Sequence, residues 1–316
     1  MPCRVVQLGC VFLFLLPFSV AQAQTPDAAV KYFKQGSQKV GKRDLDGAIA
    51  DYTRAIVISS RYASTKGHRT NGSQWDSVSV IDAFTANVYN NRGVALCYKE
   101  EFDAAIADFS AAIRIRPGLP QPYVNRGAAR HAQADLAGAL EDFSRAIAIK
   151  GDNALAYTNR ATVKQDLGDF AGAREDFDKS ISLDPNFAAT FYRRGWLFLE
   201  QNKLEEANKD FNHAIQLDNK LAWAYQGRGI VSLSNADTSK AKADFSRAIR
   251  LDPKLARAYL NRGLCLLLEG KDELAQADFD ECLRLRSDLA QEIEQRSNLA
   301  KRLRKHPVSL MSLVLR

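Results

Sequence analysis

Apolar residues recur at three- and four-residue steps along most of this chain, and the short polar stretches that interrupt them return every 34 residues. That step is the spacing of one face of an α-helix. In the unit Ala86 to Leu119, an aromatic ring stands at position 4 (Tyr89), glycine at 8 (Gly93), alanine at 20 and 27 (Ala105, Ala112), phenylalanine at 24 (Phe109) and proline at 32 (Pro117). Steps of 34 from Tyr89 reach Tyr123, Tyr157, Phe191, Tyr225 and Tyr259, and from Phe109 they reach Phe143, Phe177, Phe211, Phe245 and Phe279. A further copy lies upstream, out of register, with Tyr32, Gly36, Ala48 and Tyr52. A fixed period of this size predicts a solenoid, in which helix pairs bury their apolar faces against the next pair. Each unit reads as two antiparallel helices, over about positions 2–15 and 18–31. Small residues at 8, 20 and 27 let two helix backbones approach, and the rings at 4 and 24 fill the space beside them. Pro117, Pro185 and Pro253 stop the second helix.

The pattern resembles the tetratricopeptide repeat over Ala29 to Leu289, as units at 29–62, 86–119, 120–153, 154–187, 188–221, 222–255 and 256–289. Departures are local: Ala161 replaces glycine at position 8, Ser180 and Cys282 replace alanine at 27, and Ser60, Gly151, Asn219 and Ser287 stand at 32. The resemblance implies an all-α, right-handed α-solenoid of seven helix pairs. Residues 290–306 add a capping helix, because Ile293, Arg296, Ala300 and Leu303 keep the first-helix spacing while the other face is polar. An apolar tail, 307–316, follows. Between the first two units, residues 63–85 form an insertion. Ala63 to Asp76, with Gly67, Asn71 and Gly72, is expected to be an exposed loop. Val78, Ile81, Phe84 and Val88 are spaced to extend the next helix backwards. Trp75 either caps the first unit's core or faces a partner.

The first 23 residues read as a removed export signal: one charge at Arg4, an apolar run Val11 to Leu16, and Ala21-Gln22-Ala23 as the cleavage site. The apolar run is short of the roughly 20 residues a membrane span requires, so no stable membrane insertion is expected after cleavage. A linker, 24–28, leads to the first repeat. The mature chain is therefore placed in a bacterial periplasm or outside the cell. It keeps Cys97, Cys265 and Cys282, an odd number that allows one disulfide at most. No metal-ligand spacing occurs, and no cofactor is expected.

By resemblance, positions 2, 5, 6, 9, 12 and 13 line a concave groove. Position 6 is Asn91, Asn125, Asn159 and Asn261. A carboxamide both donates and accepts, so such a row can pair with any extended peptide backbone. It looks like the asparagine ladder in the repeat domain of O-linked N-acetylglucosamine transferase, but Lys34, Arg193 and Gly227 interrupt it. Repeats two to four add a polar floor that includes Asn87, Asn90 and Gln121. Repeats five to seven instead offer Tyr192, Trp196, Trp223, Leu260 and Leu264, an apolar surface that a partner segment or residues 308–315 would cover. Arginine at position 7, from Arg92 to Arg262, is matched by aspartate at position 23, which predicts bridges between helices and not a phosphate-binding stripe.

The 44 Lys and Arg against 37 Asp and Glu give a net charge of +7, too modest to argue for nucleic acid once the arginines are matched. No phosphate loop or nucleophile with its base is present, so no enzyme is expected. The reading is a binding scaffold for a protein or peptide segment; the alternatives are a structural or assembly subunit of an envelope complex and, behind it, a nucleic-acid-binding helical repeat.

Overall fold

In the computed structural model the described residues are 26–66 and 77–305, and among them every regular element is helical. The helices are α1 (Asp27–Gly41), α2 (Leu45–Lys66), α3 (Ser77–Tyr98), α4 (Phe102–Ile115), α5 (Pro120–Ala132), α6 (Leu136–Ile149), α7 (Ala154–Asp166) and α8 (Phe170–Leu183). They continue as α9 (Ala188–Glu200), α10 (Leu204–Leu217), α11 (Ala222–Ser234), α12 (Thr238–Leu251), α13 (Ala256–Leu268), α14 (Asp272–Leu285) and α15 (Ala290–Lys305). The chain divides into two compact units, residues 1–173 and 174–316. In both, the two helices of a repeat pack together and the second packs on the first helix of the next repeat.

Glycine at position 8 is what lets the helices of a pair close up. A Cβ at Gly93 or Gly127 would stand 2.6 or 2.9 Å from the ring of Phe109 or Phe143, and one at Gly229 or Gly263 would stand 2.7 or 2.5 Å from Phe245 or Phe279. These rings are buried, so they cannot swing aside. The turn between the helices has a second backbone requirement. Position 15 takes a positive φ in all seven repeats, at Arg43, Glu100, Ala134, Gly168, Asn202, Ala236 and Gly270. In four repeats the next residue, Asp44, Asp135, Asp169 or Asp237, then caps the second helix by accepting a backbone N–H three residues on. Where proline stands at position 32, the second helices end at Ile115, Leu183 and Leu251, two residues earlier.

The insertion differs from expectation at its start and meets it at its end, where the spacing of Val78, Ile81, Phe84 and Val88 predicts a backward extension of the next helix. Helix α2 does not stop at Tyr62 but runs to Lys66, because nothing before Gly67 breaks it, and Ser64 Oγ donates to the carbonyls of Ser60 and Arg61 within the helix. Helix α3 begins at Ser77, well ahead of the repeat start at Ala86, and its added turns bury Ile81 and Phe84. Phe84 meets Phe33 edge-on at 5.6 Å, and Thr85 Oγ1 donates to Ser59 Oγ at 2.9 Å. The loop residues 67–76 with Trp75, the leader 1–23 and the tail 307–316 lie outside the described residues. Helix α15 buries Ile293, Arg296, Ala300 and Leu303, the four residues whose spacing predicts the cap.

Candidate functional site

In residues 1–173, position 6 falls on α3, α5 and α7. Asn91 and Asn125 are brought together through Asn90. Gln121 Nε2 donates to Asn125 Oδ1 (3.1 Å), Asn125 Nδ2 to Asn90 Oδ1 (2.9 Å), and Asn90 Nδ2 to Asn91 Oδ1 (3.2 Å). Each amide donates to the next, so the chain is polarised and its members strengthen one another. The last donor, Asn91 Nδ2, is buried and has no acceptor; the same holds for Asn159 Nδ2. This corrects the expected open row of carboxamides: Asn91, Asn125 and Asn159 are all buried, and the first two are joined by hydrogen bonds between successive first helices. A second link of this kind joins His131 Nε2 on α5 to Asp166 Oδ2 on α7 at 2.6 Å.

In residues 174–316 the same positions hold different chemistry. Asn261 Oδ1 accepts from Arg296 Nη2 of α15 at 2.9 Å, so the final repeat's carboxamide is taken by the cap. Burial pulls the Arg296 guanidinium down, and Glu292, 2.9 Å away, opposes it. Burial acts to raise the Glu292 carboxyl, yet donation from Arg257 and Arg296 holds it below its usual value.

Tyr192, Leu260 and Leu264 are not an exposed floor. They are buried in one cluster with Phe211, Phe279, Ile293 and Leu303, because α15 and neighbouring first helices close over them. Trp196 and Trp223 are half-buried against this cluster, Trp196 edge-on to Phe211 at 5.8 Å. That contact neighbours the break in the asparagine row. A Cβ at Gly227 would overlap the Phe211 ring, so no asparagine fits there.

Tetratricopeptide-repeat family models match residues 158–222 and 227–290, and a second such model matches 86–118, together just over half of the chain. This chain belongs to the tetratricopeptide-repeat family. Among solved structures it is similar to a tetratricopeptide repeat protein from Parabacteroides merdae, with TM-score 0.62 and 16% identity over 92% of this chain and 100% of that one. PilF of Pseudomonas aeruginosa gives TM-score 0.60 and 14% identity over 69% of this chain and 99% of that one. Cut9, in the Cut9-Hcn1 structure of the APC/C, gives 0.63 and 13% over 79% of this chain and 55% of the other. At these identities the likeness is one of fold. No curated protein matches the chain by sequence.

The tetratricopeptide frame also accounts for the arginines. Arg92, Arg126, Arg194, Arg228 and Arg262 each form a two-pronged bridge to the aspartate 16 residues later, with Nε and Nη2 donating at 2.6–2.9 Å. The hydrogen bond to Asp108 raises Arg92, and Asp244 and Asp278 act likewise on Arg228 and Arg262. At Asp108 burial pulls the carboxyl up while Arg92 pulls it down; the fork requires a carboxylate, so the ionised pair stands.

Sequence reasoning missed a third prong. Nη1 reaches back to position 25 of the preceding repeat, 16 residues earlier at Ser110, Asp178, Asn212 or Ser246 and, across the insertion, 39 residues earlier at Thr53. The signal was present, since position 25 carries a short polar side chain in every repeat. Each arginine also covers the ring at position 4, as Arg92 covers Tyr89 at 5.5 Å. The three cysteines of the described residues are free and buried, and burial pushes the thiols of Cys97 and Cys265 up to about 12 and that of Cys282 to about 11.

Proposed function

We propose that this protein is a non-catalytic scaffold that takes up an extended segment of a partner protein along its first helices, with the amides of residues 86–166 pairing with the partner's backbone. One observation carries the reading: the polarised chain from Gln121 to Asn91 ends on a buried donor without an acceptor. A buried polar group left unmatched costs about 1–3 kcal/mol, which a backbone carbonyl from a partner would offset. Because these amides are buried, uptake is coupled to parting of the first helices. The position-7 arginines support a protein partner over nucleic acid, since their guanidinium groups are committed to aspartates. We place the mature chain in the periplasm or outside the cell on the leader sequence alone, and no described helix is long and apolar enough to cross a membrane.

The test is photo-crosslinking from p-benzoylphenylalanine in place of Tyr98, which is half exposed on α3 at position 13. A discrete crosslinked partner in the host cell, lost when Asn90 and Asn125 are both replaced by leucine, is the expected result. The same product at the same yield from the double variant rejects the amide face as the site.

A further inference from the structure

One stretch of the chain has no part in the amide face or in the frame of the repeats. From Ser297 to Arg316 there is no Asp or Glu, and five residues are Lys or Arg. The first half of this stretch lies on α15, whose Ile293, Ala300 and Leu303 are buried against the last repeat and so fix its other face toward solvent. On that face Lys301 and Arg302 are exposed and, among the described residues, neither makes an ion pair. The α13–α14 turn lies against the end of α15, where Arg304 Nη1 donates to the Leu267 carbonyl at 3.2 Å. The carboxylates of that turn are already taken: Arg304 holds Asp272 at 2.6 Å, and Lys242 and Lys271 hold Glu269. This end of the molecule therefore sets Lys242, Lys271, Lys301, Arg302 and Arg304 against Glu269 and Asp272, a local excess of positive charge.

Beyond α15 the sequence turns apolar, with Val308, Leu310, Met311, Leu313, Val314 and Leu315. The floor that sequence reasoning offers them is filled, since Leu260 and Leu264 are packed with Ile293 and Leu303 of α15. Residues 308–315 are far fewer than the roughly 20 that span a bilayer. Cations joined to a short apolar segment are instead the two signals that hold a protein on an anionic lipid surface without crossing it. Each Lys or Arg at such a surface strengthens binding about 5-fold, and the apolar side chains add burial at the acyl boundary. The dipole of α15 favours cations in its last turn but does not account for the apolar residues that follow them. A nucleic acid would meet the cations and leave the apolar residues in water. We propose that the exposed face at the end of α15, together with residues 308–315, docks this protein on an anionic phospholipid surface, Lys301 and Arg302 meeting the phosphates and the apolar side chains entering the interface. The contact is peripheral, and it is independent of the amide face on α3, α5 and α7.

The experiment is cosedimentation of the mature chain, residues 24–316, with vesicles of phosphatidylcholine alone or with about one-quarter phosphatidylglycerol, in about 0.1 M salt. We expect the anionic vesicles to bind at least about 10-fold more tightly than the neutral ones, and most of that binding to be lost at about 0.5 M salt, where charges are screened over a few ångströms. Both arms use the unaltered chain, so neither depends on a variant folding. Lys301→Glu with Arg302→Glu should bind the anionic vesicles at least about 10-fold more weakly, and so should Leu310→Asp with Leu313→Asp. The same charge change at Lys209 and Lys220, which are exposed on another repeat, should weaken binding by less than about 3-fold. Equal binding to neutral vesicles, or anionic binding that either the Lys301 and Arg302 variant or the Leu310 and Leu313 variant keeps, overturns the proposal. So does retention of the chain by an oligonucleotide of about 20 nucleotides where the vesicles do not retain it, which would give the cations to nucleic acid.

Discussion

Residues 86–166 and residues 188–268 run through the same positions of the same repeat with different materials. The first set places Asn90, Asn91, Asn125 and Asn159 at positions 5 and 6; the second places Tyr192, Arg193, Gln226, Gly227 and Leu260 there, and keeps asparagine only at Asn261. Both fold as stacked helix pairs, because the frame is held elsewhere on the helices. Glycine at position 8 meets the ring at 24, and arginine at 7 meets aspartate at 23, in both units. The inner positions are thereby free to differ. A polar inner face is joined by directional hydrogen bonds and is sensitive to loss of single atoms. An apolar one is held by area and volume and is sensitive to added bulk. The comparison can be pressed from either side.

The largest effect is expected from forcing the second unit to imitate the first. Gly227→Asn restores the amide at position 6, but its Cβ meets the Phe211 ring, which Trp196 backs edge-on. Overpacking of a buried ring costs about 1–3 kcal/mol, and we expect the top of that range or beyond. Hydrogen exchange during urea unfolding should show residues 174–316 opening at lower urea with residues 26–166 unchanged, and Phe211→Leu in the same chain should recover part of the loss. Unaltered protection around α10 and α11 would show that the interruption of the row has no steric cause.

The next effect weighs the bridges of the two units against each other. Asp142 is held by both prongs of Arg126 and by Arg130 at 3.0 Å, whereas Asp244 is held by Arg228 alone, which keeps Asn212 as a second acceptor. Removing one partner of a buried pair costs about 3–5 kcal/mol, less where the charge retains some solvent. Asp142→Ala takes the shared carboxylate from two guanidinium groups, which keep weaker partners at Ser110 and Gly138, and should cost about 3 kcal/mol; Asp244→Ala takes it from one and should cost about 2 kcal/mol. Equal urea midpoints for the two variants would contradict this account.

How much of this was legible beforehand follows from what each feature depends on. The repeats and the Arg–Asp bridges recur at fixed spacing, the cap continues the first-helix spacing, and three 34-residue steps carry Arg126 and Asp142 together to Arg228 and Asp244. Burial of the inner face was not legible. Whether Leu260 and Leu264 line an open floor or a core depends on how closely α11, α13 and α15 approach, and a list of positions carries no such distance. The direction of the amide chain was hidden for the same reason, since Asn90 joins Asn125 only across two helices. The helical end of α2 was obscured by composition: Ser64, Thr65 and Lys66 look like loop residues, although no residue before Gly67 breaks a helix.

A smaller effect separates stability from binding in the first unit. Asn125→Leu leaves Asn90 Oδ1 and Gln121 Nε2 unmatched, and should cost about 1–2 kcal/mol. Adding Asn90→Leu removes the facing acceptor and should recover part of that loss, since replacing both partners by apolar groups can be close to neutral. The double variant is therefore stable enough to test for partner uptake, and a cycle of the four proteins gives the coupling directly. A coupling near zero would mean that the amides merely share a face.

The smallest effect should ignore the difference between the units altogether. Ala134 and Ala236 both take φ near +60°, one in each unit, at the turn position that Gly168 and Gly270 fill with glycine. An L-residue with a Cβ meets a steric cost of about 1–2 kcal/mol in this region, and glycine's greater freedom in the unfolded chain gives part of it back. Ala134→Gly and Ala236→Gly should each stabilise their own unit by about 0.5–1 kcal/mol, by the same amount within error. The turn belongs to the shared frame, so a gain in one unit without the other would show that the frame itself, and not just its lining, differs between them.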